Sequence, residues 1–195
     1  KMPLWQMTAV VMNVKVFPFD NTKVRQAFNY AINKKYMIEE LFQFRAKELT
    51  GLFPLYFPGY QPDREEPYPF KQAMTRKLLY EAGWKDTDGN GTIEPYQKPD
   101  LRLLLWYDPL SSFSLKLCQA IQHDLRQVGV VVELASLHDW EDEEMPPPFM
   151  PITWAPLFPD QNEILNPLFH SSQPTNLSSY SNPQVDHYLD ETEKI

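Results

Sequence analysis

The 195-residue chain is poor in the residues that staple or metallate a small fold. It has a single cysteine, Cys118, and only six glycines. One cysteine excludes an intrachain disulfide and a cysteine metal cluster. Cys118 falls inside a helical apolar pattern and reads as an inert core thiol. No apolar run approaches the ~20 residues of a membrane-spanning helix. No block of Lys and Arg is present, and the net charge is −8. That balance argues against nucleic acid, whose binding draws on clustered cations. The HExxH, P-loop, GxGxxG and GxSxG patterns are all missing. His123, His138, His170 and His187 are scattered without metal-ligand spacing, and the acidic run at 141–144 reads as a solvated surface. With no members for a catalytic constellation, the chain reads as non-enzymatic. The opening "KMPLWQMTAVVMNV" lacks a basic head and cleavage site, and both ends read as cuts through a longer protein.

What is present is a globular composition, 43% hydrophobic and 23% charged, with 14% aromatic residues and 19 prolines. The length suits one sizeable core, and 1–195 reads as a single domain. Stiff connections follow from the prolines, and stacking surface from the aromatics.

The periodicities predict an α/β core. "TAVVMNVKV" (8–16) reads as a strand. "NTKVRQAFNYAI" sets Val24, Ala27, Phe28 and Ala31 at helical spacing. Asn33 caps a second helix carrying Ile38, Leu41 and Phe42. Residues 50–69, with five prolines, read as an extended loop. A third helix is expected from Phe70 to Ala82, with Met74, Leu78 and Ala82 inward and Gly83 as its stop. "LRLLLWY" (101–107) is a buried strand. "SSFSLKLCQAIQHDLRQVG" is an amphipathic helix with Phe113, Leu117, Ala120, Ile121, Leu125 and Val128 inward and His123 outward. "VVVEL" (130–134) follows at once. Strand, helix and strand with short links form a βαβ unit with parallel strands. Beyond residue 138 the pattern weakens, and 162–169 and 182–195 read as helices.

"DTDGNGTIEP" (86–95) looks like the start of a calcium loop, with Asp86, Asp88, Asn90 and the Thr92 carbonyl as ligands. The twelfth position, however, is Gln97 rather than a bidentate Glu, and Pro95 and Pro99 forbid a following helix. Asp-Gly and Asn-Gly pairs also form tight turns unaided. The turn is the better reading, with calcium the alternative. "TWAPLFPDQNEILNPLF" (153–169) places Trp154, Phe158 and Asp160 between a short strand and a helix. Open α/β sheets bind ligands outside the carboxyl ends of their strands. A proline-stiffened core plug, with Trp154 packed and Asp160 capping the helix, explains the same residues equally well.

Several stretches together resemble one family, the extracellular solute-binding proteins of peptide- and nickel-type ABC transporters (family 5). They are "FDNTKVRQAFNYAINKKYMI", "PGYQP", "RKLLYEAGWKDTDGNG", "CQAIQHDLRQVGVVVEL" and "NPLFHSSQPTNLSSYSNPQVDHYLDE", in the family's order across nearly the whole chain. The third resembles a segment whose family form ends in DGDG, and Asn90 stands at its second Asp. The resemblance implies a type II periplasmic-binding-protein lobe with a mixed sheet flanked by helices, the second of two lobes that close on a small solute or peptide. It implies an ABC permease as partner and a periplasmic or extracellular, membrane-associated parent protein. A cytoplasmic regulator whose lobes sense a solute is the alternative, and a calcium-stabilised structural module the third reading. The ligand wall would comprise Trp154, Leu157, Phe158 and Asp160. Peptide binders of the family commonly carry W-x-x-D, whose Asp pairs with the ligand's amino terminus. Here Leu157 occupies that position, and the implied ligand presents no free amine there. No cofactor is implied.

Overall fold

The computed structural model describes residues 6–49, 51–54, 57–60, 68–141 and 146–192. The opening residues, part of the 50–69 loop including Gln61 and Pro62 of "PGYQP", most of the acidic run and the last three residues lie outside them.

Strand β1 (Met7–Met12) is shorter than its sequence pattern suggests. It stops because Asn13, fully buried, turns the chain: its Oδ1 accepts the Lys15 N–H (3.0 Å) and its amide donates to Ser179 Oγ (2.9 Å). Helix α1 (Thr22–Ala31) starts where Asn21 Oδ1 accepts the Lys23 N–H, and it buries the four residues expected. Helix α2 (Lys34–Glu40) is capped by Asn33, which accepts from Tyr36 N–H at 3.1 Å. Met37 is its buried residue; Leu41 packs on the core edge, and Phe42 meets Phe113 edge-on at 5.0 Å.

Helix α3 (Gln72–Glu81) buries Thr75 and Leu79, so its inward stripe is displaced by one position from Met74, Leu78 and Ala82, which are half-buried. Thr75 is tolerated there because its hydroxyl donates to the Lys71 carbonyl one turn back. Gly83 ends the helix at φ +86°, a backbone shape that glycine adopts without steric cost.

The chain then makes a short hairpin, β2 (Trp84–Lys85) against β3 (Glu94–Pro95). Strand β4 (Leu104–Tyr107), helix α4 (Ser112–Arg126) and strand β5 (Glu133–Ser136) form the expected βαβ unit with parallel strands. Both strands are shorter than the apolar runs that predict them. Val130 and Val132 are buried in the lead-in to β5. Helix α4 buries Leu117, Cys118, Ile121 and Leu125, and also Asp124, whose Oδ2 accepts the Asn33 N–H at 2.8 Å. That bond ties α4 to the junction between α1 and α2.

Strand β6 (Phe149–Trp154) returns antiparallel to β1, with Met7 opposite Trp154 and Val10 opposite Pro151. Helices α5 (Asn162–Phe169) and α6 (Pro183–Thr192) complete the order. Helices and sheet pieces, both parallel and antiparallel, make this an α/β structure. Its main core centres on Phe19, Phe28 and Phe149, whose rings lie 5.0–5.8 Å apart, under Leu79, Leu105, Ile121 and Leu125. A smaller cluster of Met7, Phe57 and Ile164 forms separately, with Phe53, Trp154 and Leu168 against it. No helix among the described residues is long and apolar enough to cross a membrane.

Candidate functional site

Strand β6 delivers Trp154 to the start of the loop that leads into α5. The indole is half-buried against the smaller cluster, and its Nε1–H donates to the Glu163 carbonyl at 2.8 Å. The Glu163 side chain reaches back to the same loop, where Oε2 accepts the Leu157 N–H at 3.3 Å. Glu163 thus clamps the loop at two points, and between them the chain bulges outward. Leu157 is 82% exposed and Phe158 64% exposed. Other apolar side chains are as exposed, Leu110 at 95% and Phe44 at 75% among them; what distinguishes this pair is that the two are adjacent on one clamped loop.

Asp160 plays a different part. Its Oδ1 accepts the Asn162 N–H at 2.9 Å, and its carbonyl accepts the Glu163 N–H at 3.1 Å. Gln161 already has helical dihedrals (φ −59°, ψ −34°), so Asp160 is the residue that caps α5. The four residues of the expected ligand wall therefore divide: Trp154 anchors, Leu157 and Phe158 face solvent, and Asp160 is spent on the helix.

Two contributors are absent from the sequence reading. One is Glu163. Asp160 and Glu163 have the spacing of a capping box. In the structure Glu163 bonds Leu157 N–H. The other is the 57–60 turn. Gly59 sits at φ +85°, and a Cβ there would fall 2.5 Å from Gln161 Nε2, so the turn presses directly on the residue before α5. Phe53 and Phe57 stack beside it with ring planes 9° apart.

The 86–95 stretch closes the β2–β3 hairpin. Asp86 accepts the Gly89 N–H (2.7 Å) with one oxygen and the Gly91 N–H (2.9 Å) with the other. Asp88 accepts from the Asn90 backbone N–H (3.1 Å) and from its side-chain amide (2.9 Å). Asn90 Oδ1 accepts the Thr92 N–H at 2.7 Å and the Thr92 hydroxyl. Glu94 accepts from the backbone and hydroxyl of Thr87. These oxygens hold the turn together, each bonding a donor within a few residues. An open depression of about 250 Å³ lies beside the hairpin, with Asp88 and Asn90 of the turn and Trp84, Leu101 and Leu103 of the body among its lining residues. None of its lining residues belongs to the 154–163 segment. Among the described residues, no three His, Cys, Asp or Glu side chains come together as a metal site.

His170, the residue after α5, contacts Asp190 of α6 (Nε2 to Oδ1, 3.3 Å). Asp186, one turn earlier on α6, accepts from the hydroxyl (2.7 Å) and backbone N–H (2.9 Å) of Ser171, and those bonds hold its carboxyl below the usual range. These contacts fasten α6 to the end of α5 and are structural in character.

Comparison with known proteins agrees with this architecture. Residues 1–176 match the family described as bacterial extracellular solute-binding proteins, family 5 Middle. The glutathione-binding protein GsiB of Salmonella typhimurium is 32% identical over 193 residues, which cover 91% of this chain and 34% of the relative. The chain thus spans about a third of the length of that relative. Among solved structures, an oligopeptide-binding protein of Thermotoga maritima with bound mannohexaose superposes with a TM-score of 0.85 at 21% identity, over 100% of this chain and 40% of that one. The oligopeptide-binding protein AppA of Bacillus subtilis, in complex with a nonapeptide, gives 0.83 at 21% identity, over 98% and 39%. Likeness at that identity speaks for the fold, which is that of type II periplasmic binding proteins.

Proposed function

Because this chain belongs to the bacterial extracellular solute-binding proteins of family 5, we propose that it is the second lobe of an ABC-transporter substrate-binding protein. The parent protein captures a small solute or peptide between two lobes outside the cytoplasmic membrane and hands it to a permease. The lobe performs no chemistry on its cargo. Its task is to add contacts that exist only in the closed state, because a ligand bridging both lobes shifts the hinge equilibrium towards closure by its differential affinity for that state.

The observation that carries this reading is the clamped, solvent-facing pair Leu157 and Phe158, seated by Trp154 and Glu163. The same geometry bears on the cargo. The two carboxylates of the segment, Asp160 and Glu163, are bonded to backbone N–H groups. Leu157 itself offers an ammonium no counter-charge, and the nearby Glu163 carboxylate is turned to the Leu157 N–H; an ammonium enclosed without a pairing carboxylate costs several kcal/mol. The cargo group that meets this wall is therefore uncharged, as an acylated amine or a sugar ring would be. The nonapeptide and the mannohexaose of the two structural neighbours support a fold that accepts both kinds of cargo.

Isothermal titration of the full-length protein with a tripeptide and its N-acetylated form tests the reading. The acetylated form should bind at least as tightly. Leu157→Asp should swing the preference towards the free amine by about tenfold or more, or roughly 1.4 kcal/mol. A wild-type preference for the free amine of that size would sink the proposal.

A further inference from the structure

Two stretches of the chain have the form Asn-x-Ser/Thr that precedes attachment of an N-linked glycan: Asn90-Gly91-Thr92 and Asn176-Leu177-Ser178. The structure treats them oppositely. Asn176 is 8% exposed, and its side-chain amide donates to the carbonyls of His170 (3.2 Å) and Tyr180 (2.8 Å). Both of its N–H groups are spent inside the fold. Asn90 lies in the hairpin loop between β2 and β3, where every residue from Lys85 to Gly91 is exposed. A side-chain carbon added at Gly89 or at Gly91 would meet nothing within 4 Å, so the outer face of the turn is open, while Ile93 N–H bonds the Gly129 carbonyl on its inner side (2.8 Å).

We propose that Asn90 is an acceptor for N-linked glycosylation. The Thr92 hydroxyl and backbone N–H both donate to Asn90 Oδ1, which fixes the amide plane and makes the amide N–H groups more acidic. The Asp88 carboxylate accepts one N–H of the Asn90 amide at 2.9 Å, which places negative charge beside the nitrogen that must act as nucleophile. The amide carries a second N–H, and the site opens to solvent. The donor is a polyprenyl-diphosphate-linked oligosaccharide, supplied with an oligosaccharyltransferase on the extracytoplasmic side. The Asn90 Nδ2–carbon bond forms at the anomeric centre while the carbon–oxygen bond to the diphosphate breaks. Polyprenyl diphosphate leaves with the electron pair, and the amide proton passes to a base of the transferase. The site needs no ligand in the cleft, because the turn shares no residue with the 154–163 segment. Asn in place of the second Asp of the DGDG pattern creates the acceptor while keeping the turn.

The test presents the folded full-length protein to a purified single-subunit oligosaccharyltransferase with a fluorescent polyprenyl-diphosphate oligosaccharide. Products are read by gel shift and by mass mapping of peptides. One glycosylated peptide is expected, containing Asn90, with Asn176 unmodified until the protein is unfolded. Labelling should fall to background in Asn90→Gln and in Thr92→Val, and survive in Thr92→Ser, which keeps the hydroxyl. Melting curves should show all three variants folded, with Thr92→Ser on the wild type and Asn90→Gln and Thr92→Val lowered by no more than the loss of the Asn90–Thr92 bonds within the turn. An unmodified wild-type protein overturns the proposal. So do labelling that survives Thr92→Val, labelling of Asn176 in the folded chain, or conversion of Asn90 to Asp as its sole modification.

Discussion

Replacing Trp154 separates packing from recognition. Trp154→Ala removes an indole that is half-buried against Met7, Phe57 and Ile164, together with its hydrogen bond to the Glu163 carbonyl. Fully buried tryptophans cost about 3–5 kcal/mol when truncated, and a neutral hydrogen bond contributes about 0.5–1.5 kcal/mol, so a half-buried ring that makes both contacts should lose roughly 2–4 kcal/mol. For a chain of this size each kcal/mol lowers Tm by roughly 2–4 °C, which gives a drop of about 4–16 °C. Trp154→Phe keeps a ring on the cluster and deletes only the donor, at a cost of about 0.5–1.5 kcal/mol. Ligand affinity should follow a different order. Alanine removes both the stacking face and the anchor of the loop, whereas phenylalanine leaves most of the surface in place. Differential scanning fluorimetry and titration of the cargo copurified with the full-length protein measure the two effects. If Trp154→Ala melts with the wild type, the indole is not a packing residue. If it binds cargo with wild-type affinity, the 154–158 wall is not the contact surface.

Three further outcomes follow from the geometry. Burial raises the Asp124 carboxyl above the ordinary carboxylate range, against the Asn33 N–H and His123, which lower it. The folded chain therefore holds that proton to higher pH than the unfolded chain, and the associated stability is full in acid and lost as pH rises through the raised value. Asp124→Asn should flatten that decline and leave the protein at least as stable as wild type at neutral pH, by urea melts across the acid range; a variant distinctly weaker at neutral pH would contradict the assignment. Burial also pushes the Cys118 thiol up to about 12, with its Sγ donating to the Trp106 carbonyl, so thiol reagents should label it only after unfolding; prompt labelling of the native protein would count against its burial. Calcium should leave Tm unchanged relative to chelator, since both oxygens of Asp86 already bond the turn's own N–H groups; a rise with calcium would show a site that binds the native state.

Much of the fold is legible because apolar spacing and turn residues agree along the chain. The βαβ unit reads cleanly from Leu117, Ile121 and Leu125 at helical spacing and from Gly129 as a stop between α4 and β5. Helix α5 has the bounds its sequence suggests. The stripe of α3 is misplaced because a threonine looks polar in sequence, while Thr75 satisfies its hydroxyl within the helix and behaves as an apolar residue. Strand β6 reads in sequence only as a short strand before Trp154, because Pro151 argues against a longer one until its partner is known. Opposite Val10 it sits in a ladder that no local signal discloses. At the candidate site the large side chains announce themselves, and the device that presents them does not. Glu163 acts through one backbone and one side-chain contact, and both depend on how the loop bends.

The pairing of β1 with β6 carries a consequence for how the molecule is made. Thr8 and Thr153, hydroxyl to hydroxyl across the two strands, are 145 residues apart in sequence. A ribosome must therefore release β1 long before its partner exists, and the strand waits for that partner while the intervening chain emerges. Contacts between such remote segments come with a closure entropy that only the finished interface offsets, and they slow folding. Nascent β1, with two valines and two methionines, is thus a segment that gains from shielding during synthesis.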